Sequence, residues 1–487
     1  MKHNLLSLLF LVLLFIYPHF ALSSDKEVMS LSISDCIDLA LRNNRNIDSA
    51  YLDRILQRYN LKVAEDKFIP KPYISIEKNF KAAKDESYTY TITRLAGITI
   101  TEALPTGANI NLSGNYSDIN PKDKPFSQNT SAGITFSQPL LKGLGIDLNN
   151  ASIKTAEINE KINVLSLKSK LIDMVISVIS AYRAYFQSIK QLEISRLSVE
   201  NSKKLVEINK ELIAAGRMAK IEIVQTEADI ATREVSLIAT ENSVDAARLA
   251  LIKLLEIGRH VKINPTEQIT INEDMVLNAK ELKETAFKNR IDFLTSNLNL
   301  EIAKMNLGQA KNNMLPDLSL TGGYRHNRTF ISDESYSPSQ SENWDAGIKF
   351  TVPLKDLTLK QGYLNAKINF KKTETGISQL KENIEIEVED SIRTAEMKLR
   401  QVKLAKQANK LSRQKLDIEN EKLKAGRSSN FQILTYQNDL VTSQNNELNA
   451  IIDYLNSITN LHKTTGTTLE GWGIKIAERY LDEKSLE

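Results

Sequence analysis

The sequence predicts a mainly α protein carrying membrane-type β strands and built by internal duplication. Three observations predict it. Matched residues recur in the same order in both halves, two very long stretches lack helix breakers, and the segments between them alternate apolar and polar residues.

The duplication comes first because it sets the boundaries. Ala40, Asn43, Leu61, Ala64 and Pro70 match Ala286, Asn289, Leu307, Ala310 and Pro316, each pair 246 positions apart (286 − 40). Gly133, Ile134, Phe136, Pro139 and Leu140 match Gly347, Ile348, Phe350, Pro353 and Leu354 at 214 (347 − 133). Ala156, Asn159, Ala215, Gly216, Arg217, Ile223 and Asp229 match Ala366, Asn369, Ala425, Gly426, Arg427, Ile433 and Asp439 at 210 (366 − 156). The first repeat is expected over residues 24–257 and the second over 258–487. The drop from 246 to 214 places 32 extra residues (246 − 214) between Pro70 and Pro139.

Ahead of the repeats, Met1, Lys2 and His3 precede an apolar run over residues 5–17, with Ala21, Leu22 and Ser23 at cleavage spacing. Residues 1–23 are therefore read as a secretory signal peptide, since the run is short of the roughly 20 residues of a spanning helix. The single cysteine, Cys36, can form no internal disulfide and reads as a small buried helix residue.

Each repeat opens with an expected helix, in the first half over residues 34–68, closed by Pro70 and Pro72. Strands are expected over about 73–139 and about 317–353. There Ile110, Leu112 and Tyr116 oppose Asn109, Asn111, Ser113 and Asn115, and Leu318, Leu320 and Tyr324 oppose Ser319, Thr321 and Arg325. One apolar and one polar face suits a membrane barrel with a wet interior, and also a soluble sandwich. Tyr88, Tyr90, Tyr116, Tyr324 and Trp344 favour the barrel as an interfacial girdle. So do two polar stretches, residues 120–129 and 326–343, expected as long outer loops, against a tight turn at Pro105, Thr106 and Gly107.

Residues 149–214 and 362–424 contain no proline and, apart from Gly376, no internal glycine, so each is expected as one helix of about 100 Å. Ile172, Val175, Ile179, Tyr182, Phe186 and Ile189 step by three and four, as do Leu205, Ile208 and Leu212, in a heptad-like packing stripe. Gly216 and Gly426 supply left-handed caps, after which helices return over about 219–256 and 429–465.

Composition narrows the function. The 63 basic and 60 acidic residues are interspersed and leave a net charge of +3, so no field for nucleic acid is present. Phosphate-loop, HExxH and GxSxG motifs are absent. The five histidines, His3, His19, His260, His326 and His462, form no metal-ligand spacing. Glu385, Glu387 and Glu389 read as a solvated helix face. No catalytic, cofactor or metal site is expected, and the chain is not expected to be an enzyme.

The segment from Ser34 to Asn44, the Pro70, Lys71, Pro72 exit into strands, the run Gln138, Pro139, Leu140, Leu141, Lys142, Gly143 leaving them, and the two Ala-Gly-Arg turns together resemble the TolC-type outer-membrane factors. These are the exit ducts of tripartite efflux pumps and of type I secretion systems. The resemblance covers nearly the whole chain beyond the signal peptide. It implies a homotrimer in the outer membrane in which three chains share one β-barrel, with twelve helices forming a periplasmic tunnel. It also implies a collar from residues 258–282 and from 467 to the C-terminus. Family members usually give four strands per chain, so the 32 extra residues look like an added hairpin, either extending the barrel to six strands per chain or lying outside it.

By the same resemblance the turns Gly216, Arg217, Gly426 and Arg427 form the tip where a periplasmic adaptor of an inner-membrane transporter docks. Glu222, Gln225, Gln432 and Thr435 become candidates for the tunnel aperture. A carboxylate at Glu222 matched by Gln432 would make any acidic ring threefold; Glu222 as an ordinary acid at a helix start is the competing reading. A structural coiled-coil surface protein or adhesin is the alternative for the whole chain, and an inner-membrane adaptor a third.

Overall fold

A computed structural model describes residues 28–84, 88–122, 124–267, 271, 277–333 and 338–474. The expected signal peptide, the Tyr88 side chain and parts of both expected collar segments lie outside the described residues. The chain divides into two compact units, residues 1–44, 174–274 and 398–456, and residues 45–173, 275–397 and 457–487.

The second unit carries the sheet. β2 (Lys71–Lys84), β3 (Tyr88–Ala103), β4 (Asn109–Pro121), β5 (Ser127–Pro139), β7 (Asp317–Ile331) and β8 (Ser339–Thr351) form one six-stranded sheet in that order. Every neighbouring pair is antiparallel. The extra residues of the first repeat are the β3 and β4 hairpin, placed within the sheet rather than outside it. Its turn closes with Leu104 N–H on Ala108 O at 2.8 Å and Gly107 N–H on Leu104 O at 2.9 Å. Gly107 has φ +96, and a Cβ there would strike the Gly143 carbonyl, so only glycine fits. Asn149 Nδ2 donates to the Gly143 and Gly145 carbonyls at 2.8 and 2.9 Å, fixing the junction where the chain leaves β5.

The register sorts the side chains as the alternation predicts. Ile98, Leu112, Ile134, Leu320, Ile348 and Trp344 share the apolar face, and that face is open: Ile76 is 84% exposed, Trp344 78% and Ile348 73%. Tyr90, Tyr116, Tyr324 and Trp344 lie on it, the last two with rings 4.3 Å apart. The expected long loops are corrected. β4 runs to Pro121 and β5 begins at Ser127, while β7 runs to Ile331 and β8 begins at Ser339. The polar residues read as loop belong instead to the ends of strands of 13 to 16 residues, longer than the roughly 9 to 11 of an ordinary membrane-spanning strand.

The opening helix of each repeat is also corrected, from one helix to two. α1 (Ile33–Asn43) and α2 (Arg45–Glu65) part at Asn44, whose backbone is extended. α5 (Ala279–Asn289) and α6 (Ile291–Asn313) part at Arg290 in the same way. Neither position is Gly or Pro. Asn44 Nδ2 donates instead to the Leu254 carbonyl at 3.0 Å, and Arg290 binds Asp292 at 2.7 Å and Glu387 at 2.5 Å.

The long helices match expectation. α3 (Ala151–Ala214) has 64 residues and α7 (Leu357–Lys424) 68, about 96 and 102 Å at 1.5 Å per residue. α4 (Glu222–Leu255) and α8 (Asn430–Thr465) follow their turns. Within the second unit Ala286, Ile384, Val388, Ile392 and Leu461 form a buried cluster.

In the first unit, partners between α3 and α4 run in opposite directions: Lys203 to Glu234 at 2.8 Å, then Arg196 to Glu241 at 3.2 Å. α7 and α8 repeat the pattern with Lys415 to Asp439 at 2.8 Å and Lys398 to Asp453 at 2.7 Å. These exposed pairs set register more than stability. Near the turns the stabilising contact among the described residues is the apolar cluster Leu205, Leu416, Leu423, Ile433 and Leu434, packed by Ile208, Leu212 and Met218. Cys36 is fully buried in α1, and burial pushes its thiol up to about 12.

Sequence patterning misses one element of this unit. β1 (Val28–Leu31) and β6 (Lys262–Pro265) pair in parallel. Two four-residue strands have no stability of their own. Tyr182 and Tyr185 on α3 hold them, donating to the Leu31 carbonyl at 2.9 Å and the Ile263 carbonyl at 2.7 Å.

Candidate functional site: the turns of the helical hairpins

All eight sequence candidates fall at one end of the α3–α4 and α7–α8 hairpins. The two turns are built alike. Gly216 N–H donates to Ile213 O at 2.9 Å and Arg217 N–H to Leu212 O at 2.8 Å; Gly426 donates to Leu423 O at 2.9 Å and Arg427 to Lys422 O at 2.8 Å. This paired pattern satisfies the last helical carbonyls and needs a left-handed residue. Gly216 and Gly426 have φ +71 and +70, and nothing lies within 4 Å of a Cβ at either. Gly216→Ala and Gly426→Ala should therefore each cost only the backbone penalty, about 1–2 kcal/mol, measured as a small drop in melting temperature; a large loss would mean that the space is not free. Arg217 and Arg427 are exposed, and so are the nearby apolar residues Ile221, Val224 and Phe431, at 71, 59 and 64%.

The aperture candidates occupy the first turns of the returning helices. Glu222 and Gln432 are half-buried, Gln225 is exposed, and Thr435 spends its hydroxyl on the Phe431 carbonyl at 2.8 Å. Ser429 Oγ accepts from Gln432 N–H at 3.3 Å, so Gln432 stands at the third position of a serine-capped helix start.

Beneath them lies a polar core that the sequence reading did not single out. Asn209 Nδ2 donates to Thr226 Oγ1 at 2.9 Å and to Asn430 Oδ1 at 3.1 Å. Asn430 Nδ2 reaches Thr226 Oγ1 at 2.7 Å and the Glu222 carbonyl at 3.1 Å. All three side chains are buried, and the network ties α3, α4 and α8 together directly under Glu222. The available signal was Asn209 itself, a polar residue set four after Leu205 and three before Leu212 in the packing stripe. Two turns further along α4, Arg233 binds Asp229 through Nε at 2.5 Å, Asn438 Oδ1 at 2.6 Å and Ser198 Oγ, while Ser202 Oγ donates to Asp229 at 2.9 Å.

The duplicated positions have diverged. Asp229 serves Arg233, whereas its counterpart Asp439 serves Lys415. Asn209 corresponds to Glu419, which accepts from Ser428 at 2.6 Å, a hydrogen bond that holds its carboxyl below the usual range. Among the described residues no three His, Cys, Asp or Glu side chains gather as a metal site, and no helix is long and apolar enough to cross a membrane.

The sequence profile of the outer membrane efflux protein family matches residues 36–256 and again residues 282–467, one match to each repeat. The chain belongs to this family. Its members are outer-membrane efflux channels, and this chain is one. Nodulation protein T of Rhizobium leguminosarum bv. trifolii is 23% identical over 376 residues, covering 72% of this chain and 75% of the relative. The fold is shared with the CmeC outer membrane channel of Campylobacter jejuni, TM-score 0.67 at 15% identity, over 93% of this chain and 90% of CmeC. It is shared also with the open MtrE outer membrane channel of Neisseria gonorrhoeae, TM-score 0.64 at 14% identity, over 90% and 89% of the two chains. These neighbours are channels rather than enzymes, and the coiled-coil adhesin reading is not favoured.

Proposed function

We propose that this efflux channel works as a homotrimeric duct in which three chains complete one transmembrane barrel and one helical tunnel, passive in itself and energised by an inner-membrane transporter through a periplasmic adaptor. The observation that carries this reading is the sheet left open at both edges, with its apolar face exposed. Unpaired strand edges cannot persist in lipid, so the chain needs partners. Unpartnered apolar residues on the helices agree: Leu404, Leu411 and Ile418 recur every seven positions on α7, exposed by 67, 55 and 59%. Reconstitution into planar bilayers tests the reading. Discrete conductance steps from a heat-modifiable trimer are expected; a monomer without conductance would overturn it.

In the same reading the exposed Arg217 and Arg427 with Ile221 and Phe431 receive the adaptor, and the aperture lies at the helix starts just behind them. Glu222 gives a threefold carboxylate ring, since Gln432 supplies no charge. Glu222→Gln is expected to reduce cation preference and divalent block in single-channel recordings. Unchanged selectivity would return Glu222 to the role of an acid favoured by the helix start.

A further inference from the structure

The duplication that built this chain also specifies how one copy meets the next. β5, the last strand of the first repeat, pairs with β7, the first strand of the second, with Thr135 opposite Gly323 and Ser131 opposite Asn327. β8 stands where β5 stands in its repeat, 214 positions on (353 − 139), and β2 stands where β7 stands, 246 positions back (316 − 70). β2 and β8 are the free edges of the sheet. Carrying the β5–β7 register to those edges with the two offsets leaves no adjustable choice.

We infer that β2 of one protomer pairs antiparallel with β8 of the next in the register that sets Glu77 opposite Lys349 of the partner subunit and Lys81 opposite Asp345 of the partner subunit. The inference rests on the trimer reading above and goes beyond it by fixing the seam. Charge was not used to derive the register, yet the register joins two opposite-charge pairs on the polar face. The apolar face agrees, with Ile76 opposite Phe350 of the partner subunit.

Neighbouring registers fail on chemistry. A slip of one residue sets Ile76 opposite Lys349 or Thr351 and turns the apolar face of one strand to the polar side of the other. Slips of two leave Glu77 opposite Gly347 or Thr351, and Lys81 opposite Asn343 or Gly347, without a charge partner. A slip of four sets Glu77 against Asp345 in one direction and Lys81 against Lys349 in the other, and like charges directly opposite are destabilising. Among the registers within four residues that keep the apolar faces together, only the one inherited from the duplication pairs opposite charges.

Closed through this seam, three six-stranded sheets make a barrel of eighteen strands (3 × 6). Barrel diameter grows roughly in proportion to strand number, and barrels of 16 to 18 strands leave an aqueous channel.

Cysteine pairing in the full chain, expressed in outer membranes, tests the seam. Under oxidation, Glu77→Cys with Lys349→Cys and Lys81→Cys with Asp345→Cys should shift the band on non-reducing gels to a covalent trimer. The off-register pairs Glu77→Cys with Gly347→Cys and Lys81→Cys with Asn343→Cys should remain largely uncoupled. Stronger coupling of the off-register pairs, or a trimer by native mass spectrometry that couples through neither set, overturns the seam and leaves the duct reading standing. A monomer overturns both. Charge reversal gives a second measurement: Glu77→Lys should lower the temperature at which the trimer dissociates in detergent, and Lys349→Glu added to it should restore that temperature. Absence of restoration in a folded trimer also overturns the register.

Discussion

Arg233→Ala is expected to lower the melting temperature and to raise single-channel conductance. The Arg233 guanidinium is the hub that joins α4 to Ser198 on α3 and Asn438 on α8, and its side chain is only 10% exposed. Removing it strands the Asp229 carboxylate, 17% exposed, with Ser202 as its remaining partner. Breaking a buried pair from one side costs about 3–5 kcal/mol, because the surviving charge keeps its desolvation penalty. In the proposed duct this frees the helices to part behind the proposed aperture, and conductance rises. Arg233→Lys, which keeps the charge but loses the planar fork, should give an intermediate effect. Thermal unfolding with planar-bilayer recording on the same preparation checks both parts; unchanged melting and conductance would show that Arg233 does not hold these helices together.

Tyr182→Ala should destabilise the first unit by about 3–5 kcal/mol, in the range of large aromatic truncations. Tyr182 is 1% exposed, and burial pushes its phenol up to about 12. Its hydroxyl donates to Leu31 O at 2.9 Å and accepts from Glu267 N–H at 3.2 Å, so it serves the two segments that frame β1 and β6. Tyr182→Phe separates packing from hydrogen bonding. It should cost about 1–3 kcal/mol, since the part-buried Glu267 N–H loses its partner and the Leu31 carbonyl keeps only its bond from Thr266 N–H at 3.1 Å. Hydrogen exchange should show protection falling first at residues 28–31 and 262–265. Loss spread evenly over the helices would argue against a local clamp.

Legibility in the sequence followed the range of the forces involved. The length of α3 and α7 was readable because it depends on the absence of Pro and Gly, a local property. The cap glycines were readable because left-handed backbone demands them. The breaks at Asn44 and Arg290 were not, because ordinary helix residues stop there only when a distant carbonyl or carboxylate offers a better hydrogen bond. The loops beyond β4 and β7 were overestimated for a related reason: once both faces of a strand meet water, alternation disappears and strand reads as loop. At the turns, Gly216 and Gly426 were legible from the duplication, and the eight exposed or half-buried candidates followed from the family resemblance. The Asn209, Thr226 and Asn430 core and the Arg233 hub could not, since each joins residues some 200 positions apart (430 − 226). β1 and β6 carry no pattern at four residues each.

The added β3–β4 hairpin has a consequence for how such proteins change. A hairpin returns to the side of the sheet it left, so Pro70 still leads into the sheet and Pro139 still leads out toward a long helix, as Pro316 and Pro353 do in the other repeat. In the proposed barrel, strands are therefore gained in pairs, and each gain alters calibre without rewiring the helices. In the proposed duct, bore and conduit are thus separate variables, and an insertion such as the 32 residues (246 − 214) between Pro70 and Pro139 widens one while the other stays as it was.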